Sequence, residues 1–396
     1  MAAQPQSELS AASHDSMRAE MRVVMTTAIG FPNLGGTEVH IRELGSRLVR
    51  AGVDLTTVSA DLTARLRPRE EWQGIHIRRL RSYPNYRDVH FAPGMARIIA
   101  NGSWDLLHCQ GSHAVVAFIS MLAARRRNLP YVLTFHSGGY SSHLRSGIAP
   151  ALRQLLRPLL LHAERLICVS DFEARHFQRQ LRLAPQRFTV VPNGANLGEP
   201  SVRVASQPQR PLILSVGRLE RYKGHHHVLA ALPEVIKLCP QAQLRIAGNG
   251  PFEPNLRRLA RRLGVEDRVE IKQVATGDHE NMAQLLSQAA VVTIMSEYES
   301  QSIAAYEALA AGKALLVAPT SALRELADRG MARAVPHCAD PVAVARSIVD
   351  ALRSPLPPAQ VSLPTWDQCA ERMLDIYREA LAVRRCSSAA SGSASS

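Results

Sequence analysis

Aromatic residues make up only 5% of this 396-residue chain, and no RNA-binding or zinc-finger signature interleaves them with its arginines. Nucleic acid is therefore the weakest of the anionic partners open to it, and none is expected. Cysteine is sparse as well. Cys109, Cys168, Cys239, Cys338, Cys369 and Cys386 are widely spaced, with no C-x-x-C pair and no histidine–cysteine cluster. That argues against a zinc site and a disulfide framework, and for reduced, buried thiols in a cytoplasmic protein. Long apolar runs are missing too: the longest, Ala114 to Ala124, contains Ser120 and is too short to span a bilayer. Residues 1–20 are polar with charges of both signs, so no secretory signal is expected. The protein is expected to be soluble, or at most peripheral to the inner face of a membrane.

What is present is a basic chain of two-domain length. At 396 residues it exceeds one ordinary core, and 46% hydrophobic with 20% charged residues is typical of an α/β protein. The net charge of +13 comes largely from arginines spread over helices, with no block of like charge. Such a field favours polyanions: nucleotide phosphates or an anionic membrane face.

Apolar strands alternate with helical segments along the chain. In the first half the strands are Met21 to Thr27, Val53 to Ser59, Gly74 to Leu80, Asp105 to Cys109, Pro130 to Phe135, Arg165 to Val169 and Phe188 to Val191. The first is followed by the loop GFPNLGG and a helix from Thr37 to Arg50, the strand–glycine turn–helix order that opens a dinucleotide-type fold. The second half repeats the pattern through Pro211 to Val216, Ala242 to Ala247, Arg268 to Lys272, Ala290 to Met295, Ala314 to Ala318 and Ala332 to Val335. This predicts two doubly wound α/β domains of parallel sheet, with one cleft between them. The boundaries are a disordered tail over 1–20, a first domain over 21–195, a linker over 196–210, a second domain over 211–364, a last helix over 365–385 and a disordered tail over 386–396.

The stretch Ser296 to Gly312, SEYESQSIAAYEALAAG, joins an apolar strand to a helix through an acidic turn. Ser302 to Ala311 is rich in Ala, Leu and Glu, and Gly312 suits a left-handed C-terminal cap. Backbone N–H groups of Gln301, Ser302 and Ile303 thus fall at a helix N-terminus beyond the carboxyl end of a strand, where open α/β sheets bind phosphate. Glu299 and Glu307 bracket the turn. Eight residues of helix cover about 12 Å. A glycosidase pair needs roughly 5 to 9.5 Å between carboxyls, so these two grip distant parts of one extended ligand.

Two more anion-competent turns lie in the same half. VGRLERYKG sets Arg218 and Lys223 after the strand ending at Gly217, just before a helix at about Gly224, where two cations can neutralise a diphosphate. The turn GNGP, with Gly248 and Gly250, allows close backbone approach. His225, His226 and His227 are consecutive, so on a helix they point about 100° apart; they are read as structural, and no metal site is expected.

GGTEVH (Gly35 to His40), TFHSGGY (Thr134 to Tyr140), VPNGAN (Val191 to Asn196), VGRLERYKG (Val216 to Gly224), IAGNGP (Ile246 to Pro251) and E-x7-E (Glu299 to Glu307), in this order, resemble the retaining glycosyltransferases of family four. The resemblance implies the GT-B fold, two Rossmann-like domains with a C-terminal crossover helix, and a nucleotide-diphosphate sugar held mainly by the second domain. It also implies an acceptor held mainly by the first domain, and no metal or other cofactor. Residue by residue, it implies that Arg218 and Lys223 bind the diphosphate and that Gly35 and Gly36 bring their loop against it. Glu299 would bond the transferred sugar's hydroxyls, Glu307 the ribose, and His136 would lie near the reacting sugar. Asn193, Gly217, Gly248, Gly250, Gln301, Ser302 and Ile303 complete the donor site. The family usually has glycines where this chain has Ser300, Gln301 and Ser302, which leaves the donor's identity open.

The expected reaction is transfer of a glycosyl group to an acceptor hydroxyl with retention at the anomeric carbon. A nucleotide-sugar epimerase on the same fold and a non-catalytic sugar-nucleotide binding protein are the alternatives from other classes. For the acceptor, the basic, leucine-rich segment Tyr140 to Leu166 admits a weak anionic-membrane contact through Arg145, Arg153 and Arg157, and hence a lipid-linked acceptor. Pro150 and Pro158 are expected to break any long surface helix there, so the leucines are read as core and the acceptor as a small metabolite or natural-product scaffold.

Overall fold

A computed structural model describes residues 21–32, 35–83, 91–112, 115–136, 154–195, 210–273, 279–336, 340–354 and 362–392. The expected tail at 1–20, residues 393–396 of the tail expected over 386–396, residues 196–209 of the linker expected over 196–210, and Cys338, Arg145 and Arg153 lie outside these; residues 386–392, expected to be disordered, are helical.

The first domain is an eight-stranded sheet in the order β3-β4-β2-β1-β5-β6-β7-β8. Its strands are β1 (Met21–Thr27), β2 (Val53–Asp61), β3 (Arg69–Trp72), β4 (Ile75–Arg81), β5 (Leu106–Gln110), β6 (Tyr131–Thr134), β7 (Arg165–Cys168) and β8 (Phe188–Val190). All pairs are parallel except β3 with β4. The central strands carry apolar runs because helices cover both faces: Val23, Val24 and Met25 on β1 are fully buried. Each such side chain is worth about 1.5–3 kcal/mol. The exposed strand β3, REEW, was not expected. It joins β4 through Gln73 and Gly74, both at positive φ (48° and 76°), as a two-residue hairpin turn demands.

Helices α1 (Gly36–Arg50), α2 (Gly94–Asn101), α3 (Val115–Arg126), α4 (described over 154–162) and α5 (Asp171–Leu181) flank this sheet. Pro158 does not break α4, contrary to expectation. Its missing N–H costs one i→i−4 bond, to the Gln154 carbonyl, and the helix continues past it through residue 162. Leu156, Leu159 and Leu160 are buried in the core, Leu155 and Leu161 are exposed, and Arg157 donates to the Leu181 carbonyl.

The second domain is a six-stranded, wholly parallel sheet, β11-β10-β9-β12-β13-β14. It comprises β9 (Leu212–Val216), β10 (Gln243–Ala247), β11 (Val269–Lys272), β12 (Ala289–Ile294), β13 (Ala314–Val317) and β14 (Arg333–Ala334). Its helices are α6 (His225–Leu238), α7 (Glu253–Leu263), α8 (His279–Gln288), α9 (Ile303–Ala310), α10 (Ser321–Asp328) and α11 (Pro341–Arg353). The strand order reverses direction between β9 and β12, a switch point whose carboxyl end is where such sheets bind ligands.

The last helix, α12 (Trp366–Gly392), returns to the first domain and runs beyond the end expected for it. Trp366, Met373 and Tyr377 share one core with Ile41, Leu44 and Leu48 of α1. Tyr377 Oη lies 2.6 Å from Nδ1 of the buried His108, and Arg47 pairs with Asp367 at 2.6 Å. The chain's two crossings between domains run side by side: Ala195 donates to the Pro364 carbonyl and bridges Thr365 in parallel. A Cβ on Gly194 would collide with the backbone there.

Candidate active site at the domain junction

The loops that leave β9 and β12 meet above the second domain's switch point. Lys223 Nζ, at the end of the first loop, lies 2.6 Å from Glu299 Oε1 on the second, and both side chains are largely withdrawn from solvent. Ser296 Oγ donates to the same carboxylate oxygen at 2.8 Å. The Glu299 backbone is pinned as well. Its N–H donates to Ser321 Oγ at 2.7 Å, and Ser321 is held at φ 45°, a conformation uncommon outside glycine. An ammonium has three donors, so Lys223 keeps capacity for an anion while holding Glu299.

Arg218 is organised by a residue that the sequence motif contained but did not single out. Tyr222 Oη accepts from Arg218 Nη2 at 2.7 Å, and the Lys223 ammonium sits 5.3 Å from the Tyr222 ring centroid. One aromatic side chain thus sets the positions of both cations. From below, His225 braces the loop. Its Nδ1 bonds Ser215 Oγ at 2.8 Å and its Nε2 bonds the Arg218 carbonyl at 3.2 Å. Burial lowers the His225 pKa to about 4, which keeps the ring neutral. The three consecutive histidines are thus structural in its case, and no cluster that could hold a metal occurs among the described residues.

The glycines Gly217, Gly224, Gly248 and Gly250 let these loops stack backbone on backbone. A Cβ on Gly248 would strike the Gly217 carbonyl, and Gly224, at φ +73°, lies against the Met295 carbonyl. Residues Gly248 and Gly250 therefore shape the site through loop packing.

The turn before α9 has a second use that its sequence did not suggest. Ser302 caps α9, accepting from the Ala305 N–H at 3.3 Å, and Gly312 adopts φ +69° beyond the helix end. The Gln301 side chain, however, turns to the first domain. Its Oε1 accepts from the Asn193 N–H at 2.6 Å and its Nε2 donates to the Asn193 carbonyl at 3.1 Å. Asn193 Oδ1 is taken by His40 Nδ1 at 2.7 Å. Gln301 and Asn193 are thus occupied with each other, joining the domains. The Ser300 carbonyl accepts from Ser170 Oγ at 2.6 Å, and Ile303 packs against the core shared by α1 and α12. The departure from glycines at 300–302 is in this structure a domain-to-domain clasp. Glu307 lies half-buried within α9, and Glu299 lies off the helix.

A second clasp sits beside the first. Glu325 of α10 accepts from the Phe172 N–H at the start of α5 (2.5 Å) and from Arg175 (3.0 Å), capping a helix N-terminus from the other domain. Tyr298 meets the rings of Phe172 and His176 at 5.7 and 6.3 Å.

On the first domain's side, Gly35 and Gly36 open α1, and a Cβ on Gly36 would meet nothing within 4 Å. His136, 8% exposed, bonds Gln110 Oε1 through Nε2 at 2.6 Å. An amide oxygen can only accept, so Nε2 carries the proton. The His136 ring packs edge-on to His40 at 4.7 Å. His40 is fully buried, and desolvation lowers its pKa to about 4. The neighbouring Glu38, absent from the sequence-based site, is buried at the start of α1 within the electrostatic reach of Arg218. Arg218, Lys223 and Glu299 thus follow the carboxyl ends of β9 and β12, His136 follows β6, and Gly36 opens the helix after β1.

The comparisons with known proteins agree with this architecture. The family model "Glycosyltransferase Family 4" matches residues 34–199, and "Glycosyl transferases group 1" matches residues 201–363. The chain is 26% identical to a D-inositol 3-phosphate glycosyltransferase of Nocardiopsis dassonvillei, over 90% of this chain and 92% of that one. It is also 26% identical to a GDP-mannose:cellobiosyl-diphosphopolyprenol alpha-mannosyltransferase of Xanthomonas oryzae pv. oryzae, over 92% and 98% of the two chains. The Anabaena protein HepE, solved in complex with UDP-glucose, superposes with a TM-score of 0.68 at 17% identity, covering 92% of this chain and all of that one (100%). With two family models that abut at the domain crossing and together span most of its length, the chain belongs to the group 1 glycosyltransferases of family four, with the GT-B fold.

Proposed function

We propose that the protein transfers a sugar from a nucleotide-diphosphate donor to an acceptor hydroxyl with retention of anomeric configuration. The observation that carries this is the Lys223–Glu299 pair at 2.6 Å at the switch point, with Arg218 one Tyr222 ring away. It puts two phosphate-neutralising cations beside one carboxylate suited to sugar hydroxyls. Glu307 holds the ribose, the Gly35–Gly36 loop closes on the diphosphate, and His136 lies toward the reacting sugar. No metal is needed to neutralise the leaving group where Arg218, Lys223 and the α9 N-terminus face it.

In this reading the bond from the anomeric carbon to the phosphate oxygen breaks as the acceptor oxygen adds on the same face. The acceptor proton passes to the departing phosphate oxygen. The clasps at Gln301 and Glu325 hold the domains in register for that step.

The acceptor we favour is a small soluble molecule. Leu156, Leu159 and Leu160 of α4 are spent in the core, and the Nocardiopsis relative is named for a small inositol phosphate. A lipid-linked acceptor is the second reading, favoured by the polyprenol named for the Xanthomonas relative and by Leu155 and Leu161, 64% and 43% exposed. Incubation with UDP-, GDP- and ADP-sugars, with and without soluble and lipid-linked acceptors, tests all of this. Acceptor-dependent release of nucleoside diphosphate supports the transferase. Turnover of the donor alone into an isomeric sugar nucleotide would establish the epimerase, and an inverted anomer by NMR would refute retention. Salt-sensitive sedimentation with anionic liposomes would favour the lipid-linked acceptor.

A further inference from the structure

Glu38 stands in the first turn of α1, and the reading above gives its carboxyl no task. It is 8% exposed. Its Oε2 folds back over Gly35, into the space a side chain at that position would need. The carboxylate accepts from its own backbone N–H, and the charge of Arg218 reaches it from the other domain.

Among the described residues, the groups that line the space beside it are uncharged. Beside it lies a cavity of ≈ 10 Å³, room for about one water, walled by Thr27 of β1, Thr57 and Ser59 of β2, Ile77 of β4, and Gly30 and Phe31. The nearby arginines are engaged elsewhere: Arg42, one turn along α1, pairs with Glu43, and Arg79 of β4 donates to the Phe31 carbonyl and pairs with Glu70. His40, two residues on, is kept neutral by burial.

Loss of solvent raises the Glu38 pKa to about 7, against the pull of its own N–H and of Arg218. One cation therefore holds the charged form in place, and it is the cation assigned to the donor diphosphate. A diphosphate on Arg218 would compete for that field and bring negative charge of its own, and both effects favour the neutral acid. The neutral acid also has an O–H that can donate to a phosphate oxygen, where the carboxylate would repel it.

We infer that Glu38 takes up a proton from solvent when a nucleoside diphosphate binds between Gly36 and Arg218, so that donor affinity weakens as pH rises past neutrality. This rests on the diphosphate assignment made above. The test is calorimetric titration of the full chain and of Glu38→Gln with UDP, GDP and ADP, in buffers of different ionisation enthalpy. For whichever nucleotide binds, the wild type takes up about half a proton more than Glu38→Gln at about pH 7, and close to one more at about pH 8. In affinity, Glu38→Gln matches the wild type at about pH 6 and binds about tenfold more tightly at about pH 8. Titration of the nucleotide's own phosphate is common to both proteins and cancels. The buffer series on the wild type alone also reads proton uptake without relying on how the variant folds. Nucleotide binding with no proton uptake, or with equal uptake in Glu38→Gln, would overturn the inference alone. Failure of all three nucleotides to bind would overturn the donor-site reading beneath it.

Discussion

The ammonium of Lys223 and the carboxylate of Glu299 meet at 2.6 Å although 76 residues separate them, because they end the two loops that leave β9 and β12 on either side of the switch point. Each is thus the other's nearest electrostatic support. Replacing Lys223 with alanine leaves Glu299 without its cation, and replacing Arg218 removes the guanidinium that Tyr222 positions. Each change is expected to lower turnover at least about tenfold with the fold retained, since a charge-assisted bond is worth about 1.5–3 kcal/mol. Steady-state rates and circular dichroism check this, and near wild-type turnover would move the phosphate site elsewhere.

The clasps make a separate prediction. Gln301→Ala deletes two hydrogen bonds to Asn193, and Glu325→Ala deletes the cap on α5 and the pair with Arg175. At about 0.5–1.5 kcal/mol per bond, each loosens the approach of the domains by about 1–3 kcal/mol. The double variant is expected to show a larger radius of gyration by small-angle scattering and a raised donor KM. An unchanged scattering profile would mean that apolar contact alone holds the junction.

Two glycines offer a matched comparison. Gly224 and Gly312 have similar positive φ, +73° and +69°, but a Cβ at Gly224 would run into the Met295 carbonyl while one at Gly312 meets nothing within 4 Å. Gly312→Ala should cost about 1–2 kcal/mol, from the left-handed backbone alone. Gly224→Ala should cost about 1–3 kcal/mol more and lower turnover, because the Lys223 loop must shift. Equal urea midpoints for the two would contradict this account.

Acid should destabilise the fold before ordinary carboxylates titrate. His40 and His225 are neutral when folded, with pKa values lowered from 6.5 to about 4, and burial also holds that of His108 well below 6.5. Below about pH 6.5 the unfolded chain therefore binds more protons: His40 and His225 each remove on the order of 1.4 kcal/mol of stability per pH unit down to about pH 4, and His108 acts in the same direction. Glu38 opposes them: its folded pKa is raised from 4.5 to about 7, so its contribution is lost as pH rises through that window. Three histidines outweigh one carboxyl, and the melting temperature should fall as pH drops from about 6.5 to about 4.5. A His225→Asn variant, less stable near neutrality, should show a shallower acid slope.

Much of this was legible in the chain. The apolar runs of β1 and β9 and the glycine-bounded α9 are local signals, and the motif after each strand placed Arg218, Lys223 and Glu299 on the loops where they are found. What sequence could not supply was partnership at a distance. The bond from the Gln301 side chain to Asn193 spans 108 residues, and the burial of Glu38, which the sequence did not single out, depends on strands that lie apart from it in the chain. Tyr222 was hidden by standing between two more conspicuous cations. The strand β3 is charged and exposed, and only the Gln73–Gly74 turn could have announced it. Pro158 misled because the burial of Leu156, Leu159 and Leu160 around it outweighs the one backbone bond it removes.

The return of α12 has a consequence for how the molecule is made. Ile41, Leu44 and Leu48 precede the side chains that bury them, Trp366, Met373 and Tyr377, by the whole of the second α/β unit. A nascent polypeptide emerging from the ribosome therefore carries an uncovered oily flank on its first-domain α/β unit while the second unit is being made. The second unit can assemble while the first still waits for its final helix. Cutting the gene between the two sheets would thus yield one half with an exposed greasy face and another trailing an amphipathic tail, and only co-expression of the pieces would restore the covering.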